Sequence, residues 1–204
     1  MAYLTPRGDH TAEIEIKRSR FIARVAHVET EEQARAVVEE ERSAHPKARH
    51  HCSAFVLDPD SRTQRSSDDG EPSGTAGIPM LEVLTGHGLT YAVAVVTRYF
   101  GGTLLGAGGL VRAYGGAVSA ALDGMEVDER ELLVPVTVDL DYSVAAGLTV
   151  TAEQRGWKVV DSEYGASVVH TIAVPPDDVE ALVAVLADAS AGAAEPAIGT
   201  ATYH

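Results

Sequence analysis

The densest run of chemically capable side chains lies at residues 68–75, where Asp68, Asp69, Glu71, Ser73 and Thr75 are interleaved with Gly70, Pro72 and Gly74. Clustered carboxylates can hold Mg²⁺ or serve as acid and base. They also close the start of a following helix, where negative charge is favoured. The residue types leave both uses open. Thr75 is a further candidate cap, for a helix bearing Met80, Leu81, Val83 and Leu84. Downstream, Arg98 and Tyr99 precede a bend containing Gly101, Gly102, Gly106, Gly108 and Gly109, and Arg112 follows it. A glycine-rich turn that opens a helix offers backbone N–H groups to an anion; it also lets a tight turn pack against a sheet. Two familiar phosphate loops fail here: Val111 stands where the dinucleotide fingerprint needs its third glycine, and Ala107 where the P-loop needs lysine. Arg98 and Arg112 suit a phosphate, or the carboxylates of residues 68–71 as internal salt bridges.

A third cluster is His45, His50, His51 and Cys52. Its spacing lacks a CxxC pair or an HExxH helix, so no metal is assigned. A nucleophilic Cys52 needs a lowered pKa. The alternative is a set of polar residues beside the end of a strand, Ser53–Leu57, which leaves His50 and Cys52 as accessory candidates.

The elements that must position these groups follow from periodicity. Tyr91–Phe100 is apolar without alternation, the pattern of a strand covered on both faces. Leu110, Ala113, Tyr114, Ala117, Val118, Ala121 and Leu122 fall on one face of a helix starting near Gly109. Upstream, Ala12–Ile16 and Arg20–Val28 read as an antiparallel pair. Thr30 and Gln33 form a capping box for a helix that Pro46 stops, with Glu39–Arg42 as its solvated face. Asp58–Ser67 reads as a mobile hairpin or loop. The acidic run Asp123–Glu131 reads as a domain boundary, giving domains 1–132 and 133–204. Beyond it come a strand at Leu133–Leu140, a helix at Ser143–Arg155, and strands at Trp157–Tyr164 and Ala166–Val174. A helix capped by Asp177 and Glu180 and a strand at Ala197–Tyr203 complete a βαββαβ, ferredoxin-like order. The expected class is α+β in two domains.

The chain's formal net charge of −14 argues against coating nucleic acid by bulk attraction. Residues 134–204 hold 2 Lys+Arg against 10 Asp+Glu, so any nucleic-acid surface should be a local patch in the first part. One cysteine cannot form an internal disulfide, and the first twenty residues contain no apolar run suited to a signal peptide. The expectation is a cytoplasmic protein with no membrane partner.

Two long blocks, SDDGEPSGTAGIPML (Ser67–Leu81) and VVTRYFGGTLLGAGGLVRAY (Val95–Tyr114), closely resemble the signature of the Impact/YigZ family, and ARHHCSAF (Ala48–Phe55) is similar to its third block. One departure is Leu104, where many relatives have Lys, and it weakens a direct phosphate role for the turn. The resemblance implies a first domain like domain 2 of ribosomal protein S5 and a second like the final domain of elongation factor G. It further implies a translation-associated regulatory factor that binds ribosome, RNA or a translation protein. Eukaryotic relatives regulate translation in amino-acid starvation, but with a different companion domain. The alternative is a small-molecule enzyme or phosphate- or nucleotide-binding protein built on the acidic loop and glycine bend, with Mg²⁺ as its possible cofactor.

Overall fold

The computed structural model describes residues 2–204. The chain forms two compact units, 3–129 and, with Ala2, 130–204. Along the first run β1 (Ala2–Pro6), β2 (His10–Ile16), β3 (Ser19–His27), α1 (Glu31–Ala44), β4 (His50–Leu57), β5 (Thr63–Ser67), α2 (Gly77–Gly86), β6 (Ala92–Tyr99) and α3 (Ala107–Leu122).

Strands β2-β3-β6-β4-β5 form one antiparallel sheet with β6 at its centre. Successive residues of a strand point to opposite faces. Ala92, Ala94 and Val96 therefore join a core with Met80 and Leu84 of α2 and Leu110, Tyr114 and Val118 of α3. Val93 and Val95 face the other way, onto Ala34 and Val37 of α1 with Phe55 and Leu57. Both faces are roofed by helices, which is why the β6 sequence shows no alternation.

Local expectations hold at α1, where Thr30 Oγ1 accepts the Gln33 N–H at 3.2 Å; the Gln33 carboxamide reaches back to the Glu29 N–H at 2.6 Å. Two expectations change and one alternative is selected. Glu41 is not on a solvated face; it is buried and meets Arg24 at 3.3 Å. Of the hairpin or loop expected at Asp58–Ser67 the hairpin forms, its second strand β5 pairing antiparallel with β4 from Ser53–Ser67 to Leu57–Thr63. Finally, β4 begins at His50, because His50, His51 and Cys52 pair with Arg98, Thr97 and Val96 of β6. Three of the cluster's four members thus belong to the sheet, whereas His45 caps the end of α1.

The second unit continues from β7 (Val127–Leu140) through α4 (Tyr142–Arg155), β8 (Lys158–Tyr164), β9 (Val168–Val174), α5 (Val179–Ala189), β10 (Ala197–Ile198) and β11 (Thr202–Tyr203). β9 lies between β7 and β8, and β10 and β11 pair with β7, which is the ferredoxin-like arrangement. The fold is α+β in two domains. Gly156, with φ +72°, ends α4. The box expected of Asp177 and Glu180 is not made: a 3-10 turn, Pro176–Asp178, precedes α5, and Asp178 accepts the Trp157 indole N–H at 2.9 Å. The last strand is interrupted between Ile198 and Thr202, and the first is longer than expected. Among the described residues no helix is long and apolar enough to cross a membrane.

Candidate functional site

The acidic loop divides its three carboxylates between different tasks. Asp68 follows β5, and the chain then reverses through residues 69–74, with Gly70 and Gly74 at φ +85° and +75°. The reversal brings the start of α2 back to Asp68, whose carboxylate accepts N–H groups from Gly74 (2.7 Å), Ala76 (3.0 Å) and Gly77 (2.8 Å). Asp68, not Thr75, closes this helix; Thr75 Oγ1 donates instead to the Pro72 carbonyl at 2.6 Å. Burial alone would raise the Asp68 pKa, but the three N–H groups outweigh it and hold the carboxyl below its usual value. Asp69 is likewise committed to the scaffold, meeting the Arg42 guanidinium at 2.9 Å and the His51 N–H at 2.7 Å.

Glu71 differs. It is buried, and one carboxylate oxygen accepts both from Arg98 at 2.5 Å and from the Tyr114 hydroxyl at 2.7 Å. The Arg98 guanidinium sits 5.4 Å from the Phe21 ring centroid and 5.7 Å from that of Phe100. Its Nε is buried with no hydrogen-bond partner. Below this group lies Cys52, fully buried, its thiol donating to the Asp68 carbonyl at 3.0 Å. Burial pushes the Cys52 thiol up to about 12, leaving almost no thiolate at neutral pH and no nucleophile. Burial also raises the Tyr114 hydroxyl, so it stays a donor to Glu71.

The glycine bend does two separate things. At Gly101 a Cβ would land on the Arg18 carbonyl group, so the residue is a close approach between the bend and the β2–β3 turn. Its N–H is taken by Ser19 Oγ at 3.1 Å. Gly106, at φ +74°, turns the chain into α3, and no side chain caps that helix. Gly106 and Ala107 line a cleft of about 400 Å³ together with Glu71, Arg98, Arg49 and His50; Pro72, Phe100, Leu104, Leu105 and Leu110 form its apolar wall.

Of the residues singled out in the sequence, Glu71, Arg98, Gly106 and His50 meet at this cleft. His50 is turned through Nδ1 to the Asp69 carbonyl at 2.9 Å. Ser73 is exposed, and Gly102, Gly108 and Gly109 belong to the bend and the first helical turn without lining the cleft. Tyr99 faces elsewhere, its hydroxyl 3.0 Å from His45 Nδ1 and its ring under Arg20. Arg112 is exposed, with its guanidinium folded back toward Gly108. Among the described residues no three of His, Cys, Asp and Glu are gathered to hold a metal ion. Arg49, Phe100 and Tyr114 were not candidates from sequence. Tyr114 carried a signal: a tyrosine on a buried helix face needs a partner for its hydroxyl.

Residues 17–122 match the Impact N-terminal domain, and residues 138–193 match DUF1949, a domain of unknown function. The chain is 45% identical to IMPACT family member YigZ of Escherichia coli over 94% of its length and 95% of that protein. It belongs to the Impact/YigZ family. The Impact-family member YvyE of Bacillus subtilis is 37% identical over 99% of this chain and 93% of that one. A crystal structure described as that of a hypothetical protein is 44% identical, covers 96% of both chains and superposes with a TM-score of 0.64. The yeast Protein IMPACT homolog matches 43% of this chain and 35% of its own, at 39% identity. The cleft lies within the stretch matched by the Impact N-terminal domain.

Proposed function

We propose that this chain is a translation-associated binding factor that contacts the ribosome or RNA through the cleft of its first unit. The observation that carries the reading is a concentration of unneutralised arginine in an acidic protein. Arg49 lines the cleft, Arg18 reaches Thr103 on the bend at 3.3 Å, and Arg112 lies over the first turn of α3. None of the three has an ion pair among the described residues, whereas Arg7, Arg20, Arg24, Arg35, Arg42 and Arg62 all do. The one carboxylate in the cleft, Glu71, is bound to Arg98. Cations left without partners beside an open helix start favour an anion. Family membership supports the same reading, since eukaryotic relatives of the first domain are tied to translational control.

The test is sedimentation with ribosomes and with single-stranded RNA across a salt series, comparing the native chain with an R49E/R112E pair. Association at low salt that fades with added salt and is lost in the pair is the expected result. Absence of association at low salt sinks the reading.

A small-molecule enzyme is the second reading. The cleft's volume favours it, since about 300–1,000 Å³ is usual for ligand pockets. Turnover of phosphorylated metabolites, with and without Mg²⁺, is the discriminating assay.

A further inference from the structure

The cleft has two chemically different halves. One is cationic: Arg49, the Arg98 guanidinium and the uncapped start of α3 at Gly106 and Ala107. The other is apolar and unusually open to solvent, for Phe100 is 51% and Leu104 83% exposed. Exposed aromatic and branched side chains beside a phosphate-sized cationic corner suit a flat ring joined to an anion. We propose that the cleft binds a nucleoside phosphate, with its phosphate at the start of α3 between Arg49 and Arg98 and its base lying on Phe100 and Leu104. This deepens the binding reading above and rests on it for the cleft's being the contact.

Three observations carry the assignment beyond a helix start alone. Arg98 is 94% buried, yet its Nε has no partner. Glu71, itself held by the Tyr114 hydroxyl, binds one end of the guanidinium, and the Phe21 and Phe100 rings flank it. A pre-oriented guanidinium in the cleft wall presents a fixed positive charge to a phosphate oxygen. Second, the volume of about 400 Å³ fits one nucleotide, not a duplex. Third, a chain of net charge −14 repels a long polyanion everywhere else, so the ligand is a single nucleotide or the end of a single strand. Stacking on an aromatic ring tolerates any base, and the cleft shows no arrangement that would select one.

Calorimetric titration of the full chain tests this with AMP, adenosine, inorganic phosphate, and a short single-stranded RNA bearing either a 5′-phosphate or a 5′-hydroxyl. AMP should bind, and adenosine and inorganic phosphate should each bind at least about tenfold more weakly, since each occupies one half. R49A and F100S change exposed or half-exposed side chains and should fold normally; each should weaken AMP about tenfold. If the 5′-phosphorylated RNA binds tighter than AMP and the 5′-hydroxyl strand does not, the natural ligand is a strand end; AMP binding tighter than either strand identifies the free nucleotide. Equal binding of AMP and adenosine, no binding of AMP at millimolar concentration, or AMP binding indifferent to both substitutions overturns the proposal. Salt-sensitive ribosome association that persists alongside any of those results sinks the nucleotide assignment while leaving the translation-factor reading standing.

Discussion

Two helices of the first unit begin with the same deficiency and resolve it differently. Neither α2 nor α3 has a cap from its own N-cap side chain, Ala76 in one and Gly106 in the other. At α2 the unpaired N–H groups are taken by Asp68 from within the chain. At α3 no side chain comes, and the helix start lines the cleft instead. The carboxylate that would be expected nearby, Glu71, is drawn off by Arg98 and Tyr114. The same loop thus closes one helix and leaves the other available, which separates the stability of this unit from its capacity to bind.

The largest effect should come from breaking the group that ties Glu71 to Arg98 and Tyr114 rather than to the start of α3. Arg98→Met leaves a buried carboxylate without its counter-charge and should cost about 3–5 kcal/mol in urea unfolding. Adding Glu71→Gln to that variant should restore a large part of the loss, because the burden is the orphaned charge and not the missing bond. If the double variant is no more stable than the single one, the pair is not what organises the cleft.

Asp68→Ala comes next. It removes the acceptor of three N–H groups and should cost about 2 kcal/mol, without weakening the cleft's anion affinity in the fraction that remains folded. Its pH dependence has a defined sign. The Asp68 pKa is depressed in the folded chain from an ordinary value of 3.8, so its contribution is complete above about pH 4 and vanishes as pH falls through the lower folded value. Asp68→Asn should therefore flatten the acid limb of the stability curve below pH 4. Gly106→Ala is smaller. Its φ of +74° is unfavourable to a Cβ although nothing crowds the site, and a loss of about 1 kcal/mol is expected from thermal unfolding.

How much of this was readable beforehand depends on how far apart the partners lie. The central strand and the helix after the glycine bend declared themselves because burial on both faces, or on one helical stripe, is a local pattern. The Arg98–Glu71–Tyr114 group did not. Its members are 27 and 43 residues apart, and they meet only through sheet register and the packing of α3 on β6. Thr75 seemed the natural cap because it is adjacent in sequence to α2; the reversal at Gly70 and Gly74 puts Asp68 there instead. In the second unit the charged run before Leu133 hid the first part of β7, since a strand with an exposed side tolerates charges. The Glu131 amide and carbonyl nonetheless pair with His204 at 3.0 Å in each direction.

The smallest effect probes the open helix directly. Leu104 stands at the lip of the cleft with 83% of its surface in solvent, so Leu104→Lys removes little packing and should leave the unfolding free energy within about 0.5 kcal/mol. An ammonium there adds a mobile, solvated charge to a corner that already holds Arg49 and Arg98. Such a charge is screened over about 10 Å at 0.1 M salt, so the gain in AMP affinity should be only about threefold and should fade at 1 M. The paired control is a lysine at Ile78, also exposed, in the first turn of α2 where Asp68 has already satisfied the N–H groups. Ile78→Lys should leave AMP affinity unchanged. Equal enhancement by both lysines would mean that general charge, not the uncapped start of α3, attracts the anion, and the distinction between the two helices would carry no functional weight.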